Sequence, residues 1–124
     1  MKTIIAVALI FVVFSSFLFL FGCGSKSGLY GQAITETNTT RIGDILARPE
    51  QFKGKTVKIQ GKIREECPAG GWFMLKDETG TVYVNLHPSD FAIPQASGHQ
   101  AVAEGVVNKE GTQVSVIGKG AQIK

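Results

Sequence analysis

From Val57 to Leu86 the chain switches between apolar and polar side chains residue by residue, in three short runs. A period of two places alternate side chains on opposite faces of a pleated strand, so these runs dictate strands with one buried face. Val57, Ile59, Gly61 and Ile63 alternate with Lys58, Gln60, Lys62 and Arg64. Phe73 and Leu75 alternate with Trp72, Met74 and Lys76, and Val82, Val84 and Leu86 with Thr81, Tyr83 and Asn85. Asp77-Glu78-Thr79-Gly80 joins the second and third runs as a tight hairpin, on which both acids read as solvated turn residues. Two further strands are expected over residues 100–108 and 112–117, joined by Lys109-Glu110-Gly111, with Gly118 and Gly120 loosening the last before Ile123. The buried face of the fourth strand stays open, because Val102 and Val106 oppose Ala101, Ala103 and Val107.

Upstream the period changes. Ile42, Ile45 and Leu46 recur at three and four within residues 41–48, the stripe of a short amphipathic helix, with Thr40 as a candidate cap and Pro49 at its end. Residues 87–98 hold two prolines and read as a loop with one helical turn near Ser89 to Phe91. A weak internal repeat is also visible. GKTVKIQGKIREE from Gly54 and GHQAVAEGVVNKE from Gly98 share glycines at two offsets, Gly54 with Gly98 and Gly61 with Gly105. A glycine in mid-strand weakens the strand unless it permits a bulge or sharp bend, so both strands are expected to turn a corner there.

The N-terminal region differs in kind. After Met1-Lys2, residues 4–21 are almost wholly apolar, the makeup of an export signal. The run Leu20-Phe21-Gly22-Cys23 resembles the bacterial lipobox, whose cysteine is acylated before the signal is removed; Phe21 stands where that pattern has a small residue. The division expected is therefore 1–22 as signal peptide, 23–40 as lipidated Cys23 and flexible tether, and 41–124 as the one folded domain. An uncleaved anchor is the other reading, since about 18 apolar residues just cross a bilayer. Both hold the domain at a membrane in the cell envelope, outside the cytoplasm, and Gly24 in place of aspartate leans toward an outer membrane. Residues 24–40, rich in Gly, Ser and Thr, read as a coil reaching roughly 20 to 25 Å from the surface.

Composition excludes several function classes. The chain carries 13 Lys plus Arg against 10 Asp plus Glu, and without Lys2 the balance is close to neutral, which is no strong polyanion signature. Ser89 and Asp90 adjoin His87, but sequence neighbours do not make a catalytic triad, and no glycine run is followed by the Lys-Ser/Thr of a phosphate loop. The expectation is no enzyme and no cofactor. With Cys23 acylated, Cys67 is a solitary thiol; together with His87 and His99, the only histidines, it cannot complete a tetrahedral zinc site, so no metal is expected. Pro68, Gly70 and Gly71 suggest that Cys67 sits on an exposed loop as a reactive thiol.

Five strands, the first broken by a central glycine, with an irregular link before the fourth, make an all-β fold: a five-stranded Greek-key barrel preceded by a short helix. The blocks KTVKIQGKI, WFMLKDETGTVYVNL and AVAEGVV resemble an OB-fold. The second block is similar to the strand-turn-strand of the tRNA-anticodon-binding type of OB module. Cys67-Pro68-Ala69-Gly70-Gly71-Trp72 is similar to the Cys-Pro-x-Gly-Cys-Trp run of small exported OB-fold proteins of unknown function, with Gly71 where they carry a second cysteine. The resemblance implies a binding surface over the second and third strands, and the strand phases put Lys58, Lys62, Arg64, Trp72, Lys76 and Tyr83 together on the outside. Stacking rings beside cations suit an oligonucleotide, an anionic oligosaccharide or an envelope protein as partner. The alternative is a metal or thiol-redox accessory protein using Cys67.

Overall fold

A computed structural model describes residues 28–124. The expected signal and Cys23 lie outside the described residues. Six strands run in chain order: β1 (Gly28–Gly31), β2 (Thr56–Glu66), β3 (Trp72–Lys76), β4 (Thr81–Asn85), β5 (Gln100–Glu110) and β6 (Gln113–Ile123). Their lateral order is β1-β6-β4-β3-β2-β5, and β5 also pairs with β6, which closes β2 to β6 into a barrel. All pairings are antiparallel except β4 with β6. This is the five-stranded OB barrel, with α1 (Ile42–Ala47) and the single turn α2 (Pro49–Phe52) before it.

The alternation places the core as the sequence requires. Val57, Ile59, Ile63, Phe73, Leu75, Val82 and Val84 point inward and are buried. Ile42 and Ile45 of α1 are fully buried in the same cluster, and removing each from water contributes about 1.5–3 kcal/mol. On β5, Ala101, Ala103 and Val107 join the core, which resolves its phase; Val102 and Glu104 are buried on the outer face instead. The link between β4 and β5 carries one turn, His87–Ser89, a little earlier than expected, and its Ile93 and Ala96 complete the core.

The weak repeat marks a local two-fold axis. Gly54 N–H donates to the Val107 carbonyl at 2.8 Å, and Gly98 N–H donates to the Ile63 carbonyl at 2.8 Å. In return Val107 N–H donates to Lys55 O and Ile63 N–H to His99 O, both at 3.0 Å. Ile59 faces Ala103 at the centre of this arrangement. Gly61 lies where β2 leaves β5 for β3, and Gly105 at the register shift of β5. A Cβ at Gly61 would overlap the carbonyl of Lys76, and one at Gly105 the carbonyl of Ile117, so these corners exist because two backbones touch there.

β6 runs on to Ile123 and is irregular at its glycines as expected: Glu104 pairs with Gly120 and Gly105 with Gly118, so Lys119 between them is the extra residue of a bulge. Two expectations need correction. A bulge falls between Ile63 and Glu65, so Glu65, not Arg64, faces Met74 across the sheet. Most important, the stretch expected as a tether lies on the barrel from Gly28 onward. On β6, β4 reaches only Ser115 to Ile117, leaving the later part of that edge open, and unpaired strand edges demand partners. β1 fills that edge, from Gly28 opposite Ile123 to Gly31 opposite Gly120. Beyond it, Thr35 and Glu36 donate their amides to the Glu104 carboxylate at 3.2 and 2.6 Å, and Thr40 N–H donates to Lys58 O at 2.7 Å.

Replacing Glu104 by Ala should therefore free this strap while leaving the barrel closed. Losing the buried acceptor removes about 1–3 kcal/mol of local stability. Hydrogen exchange at Thr35 and Glu36 is expected to accelerate about tenfold or more, with amides of β2 and β3 unchanged. Uniform acceleration across the barrel would mean that strap and barrel unfold together.

Candidate functional site

The six expected ligand residues are divided three ways. Lys58 is not free: its Nζ donates to the Thr37 carbonyl at 3.1 Å, so it fastens the strap. Lys62, Arg64 and Lys76 line an open groove of about 710 Å³ that also receives Arg41 and Lys124. Trp72 and Tyr83 do not line it. They meet on the outside of β3 and β4, ring centroids 5.5 Å apart and planes tilted by 33°. Cations and rings thus occupy adjoining surfaces rather than one patch.

The groove is electrostatically biased. Lys62 faces Lys76 directly across β2 and β3, and like charges so placed repel. Among the described residues, ion pairs join Arg48 to Asp44 and Lys109 to Glu50, and none involves a groove cation. Two acids, Asp77 and Glu78, share the groove with five cations. Arg41 and Lys124 escaped the sequence reading because neither sits on an alternating strand; only the fold brings them to Lys62.

Asp77 is not the solvated turn acid expected. Its Oδ1 accepts from Thr79 N–H at 2.7 Å, Thr79 Oγ1–H at 2.6 Å and Gly80 N–H at 3.0 Å, while Oδ2 accepts from Ile42 N–H at 2.9 Å. One carboxylate therefore shapes the β3–β4 hairpin and binds the first turn of α1 to it. Partial burial pushes its pKa up, but the Thr79 hydroxyl and the three amides prevail and hold it below the ordinary aspartate value. Thr79 Oγ1 in turn accepts from Gly43 N–H at 2.7 Å. The hairpin signal was legible in the sequence, but its reach to a helix over thirty residues earlier was not.

The aromatic face has different chemistry. Trp72 pairs with Asn85, and Met74 with Tyr83, across β3 and β4; Tyr83 pairs with Ser115 on β6. The bulge adds Glu65 beside Met74. The face is thus two rings and a thioether bordered by amide, hydroxyl and carboxylate groups. Cys67, expected to be exposed, is half-buried, and its N–H donates to the Trp72 carbonyl at 3.0 Å, closing the β2–β3 turn. Gly71 lies under the His87 ring, so a side chain at that position would collide with the imidazole. Among the described residues no three His, Cys, Asp or Glu side chains gather as a metal site would require.

Solved structures share this architecture. The hypothetical protein ygiW from E. coli superposes with a TM-score of 0.51 at 19% identity, over 75% of this chain and 98% of that one. A chain assigned as an aspartyl-tRNA synthetase from Leishmania major Friedlin gives the same TM-score and identity over 74% of this chain, which spans 22% of that protein. At such identity the likeness is one of fold. No protein-family model matches the sequence, and no curated protein matches it.

Proposed function

We propose that this chain is a non-catalytic, membrane-anchored OB-fold module that binds an oligosaccharide strand on the outer face of β3 and β4. The observation that carries this reading is the Trp72–Tyr83 pair, two half-buried rings side by side on the surface that OB barrels use for oligomeric ligands. Their borders favour sugars over nucleic acid. Asn85, Ser115 and Glu65 offer hydrogen bonds to hydroxyl groups, whereas the cations that would follow a phosphate backbone lie off this face, beyond Lys76.

Trp72 is the one tryptophan of the chain and reports directly on the site. Titration of the protein with neutral and acidic oligosaccharides, and with single-stranded oligonucleotides, at two salt levels is the test. Saccharide binding that changes Trp72 emission and barely responds to salt is expected. Trp72→Ala should weaken it by about 1–3 kcal/mol, the range known for ring stacking on bases, without unfolding the barrel. Preferential oligonucleotide binding with a steep salt dependence would replace the sugar reading with a nucleic-acid one. Unfolding of Trp72→Ala without a separable binding defect would make Trp72 a structural residue.

A further inference from the structure

The cationic groove has no part in that stacking site, and its position relative to the chain's entry is informative. Gly61 and Ala101 form its floor, and they are paired across β2 and β5. Ala101 pairs with Ile123, and Ile123 pairs with Gly28, the first residue of β1. One rung of the sheet therefore runs from the groove floor to the point where the N-terminal segment joins the barrel. Three inter-strand steps amount to about 14 Å. From Cys23 to Gly28 there are five peptide steps, which even fully extended reach about 17 Å.

We propose that the groove of Arg41, Lys62, Arg64, Lys76 and Lys124 is a docking surface for the anionic headgroups of the membrane that holds the chain. The inference rests on the membrane-anchored reading; acylation at Cys23 and a spanning segment 4–21 lead to the same short link. A tether free to Thr40 would let the barrel stand away from the bilayer, but β1 shortens it to a few residues. The link then holds Gly28 no farther than about 17 Å from the bilayer, short enough for the groove to enter the layer of about 8–10 Å in which basic residues sense a charged surface. Five cations that form no ion pair among the described residues, two of them forced opposite each other, meet lipid phosphates there and lose their mutual repulsion. Leu29, beside Gly28 and 53% exposed, is available to the same interface.

Full-length protein should be reconstituted into vesicles of phosphatidylcholine, with and without phosphatidylglycerol, and its lysines labelled by an acetylating reagent and read by mass spectrometry. In anionic vesicles Lys62, Lys76 and Lys124 are expected to label at least about threefold less than in neutral ones, and high salt should abolish the difference. Lys55, just before the start of β2, should label equally in both. The double substitution Lys62→Glu and Arg64→Glu should remove protection from Lys76 and Lys124. Equal labelling in the two vesicle types, with the protein floating with both, overturns the docking surface and leaves the anchor intact. Failure to float with either overturns the anchored reading itself. Stronger protection by a soluble acidic polysaccharide than by anionic vesicles would assign the groove to a polymer and overturn the lipid proposal.

Discussion

Gly61→Ala is expected to destabilise the barrel by about 3 kcal/mol or more, a large effect for one methyl group. The new Cβ would overlap the Lys76 carbonyl, a backbone atom held by the β3–β4 hairpin, so no side-chain rotation relieves the contact. Either β3 moves away from β2 or the corner opens, and both damage the sheet around Ile63 and Leu75. Gly111→Ala is the comparison: its φ of 61° also disfavours a side chain, but a Cβ there meets nothing within 4 Å. About 1–2 kcal/mol is expected for that backbone strain alone. Denaturant unfolding followed by Trp72 emission measures both. Equal losses for the two variants would show that β3 yields, and that the corner is not a steric necessity.

The second large effect is expected at Asp77. Asp77→Ala removes the acceptor for four donors at once, including the N–H of Ile42 at the start of α1. Solvent can partly replace the carboxylate, so the loss is about 2 kcal/mol rather than the sum of four bonds. Its pH dependence is distinctive. Because the native carboxyl titrates below the unfolded one, its contribution is complete above about pH 4 and is lost as pH falls through the native pKa. The stability gap between wild type and Asp77→Ala should therefore be constant at neutral pH and shrink in acid. A gap that persists unchanged well below pH 4 would place the effect of Asp77 in its shape rather than its charge.

Much of the barrel was legible because alternation is a local signal. Val57, Ile59, Phe73, Leu75, Val82 and Val84 each announced their face, and Gly61 with Gly105 announced the corners. β5 resisted, because both of its faces carry buried residues: the core takes Ala101, Ala103 and Val107, while on the outer face Val102 is buried and Glu104 is bound by the strap. β1 resisted for another reason. Four residues reading Gly-Leu-Tyr-Gly carry no period, and their partner, the open edge of β6, exists only after the barrel has closed. The candidate site was half legible. The ring pair followed from Trp72 and Tyr83 sharing a phase, but the separation of rings from cations depended on the bulge after Ile63 and on Arg41 and Lys124 arriving from the two ends of the fold.

β6 is the partner of β1, β4 and β5 at once, and it comes last among the described strands. The barrel cannot close before it arrives, and its pairing with β1 spans almost the whole described sequence. Such distant pairings carry a large loop-closure cost and place the chain among slow folders, on the scale of milliseconds to seconds. A nascent or partly threaded chain ending before Gln113 has only the β2–β3–β4 meander and the β2–β5 ladder, with no seam between their outer edges. The order of residues along the polypeptide thus acts as a timer: the barrel remains open until its final eleven-residue strand is free to enter.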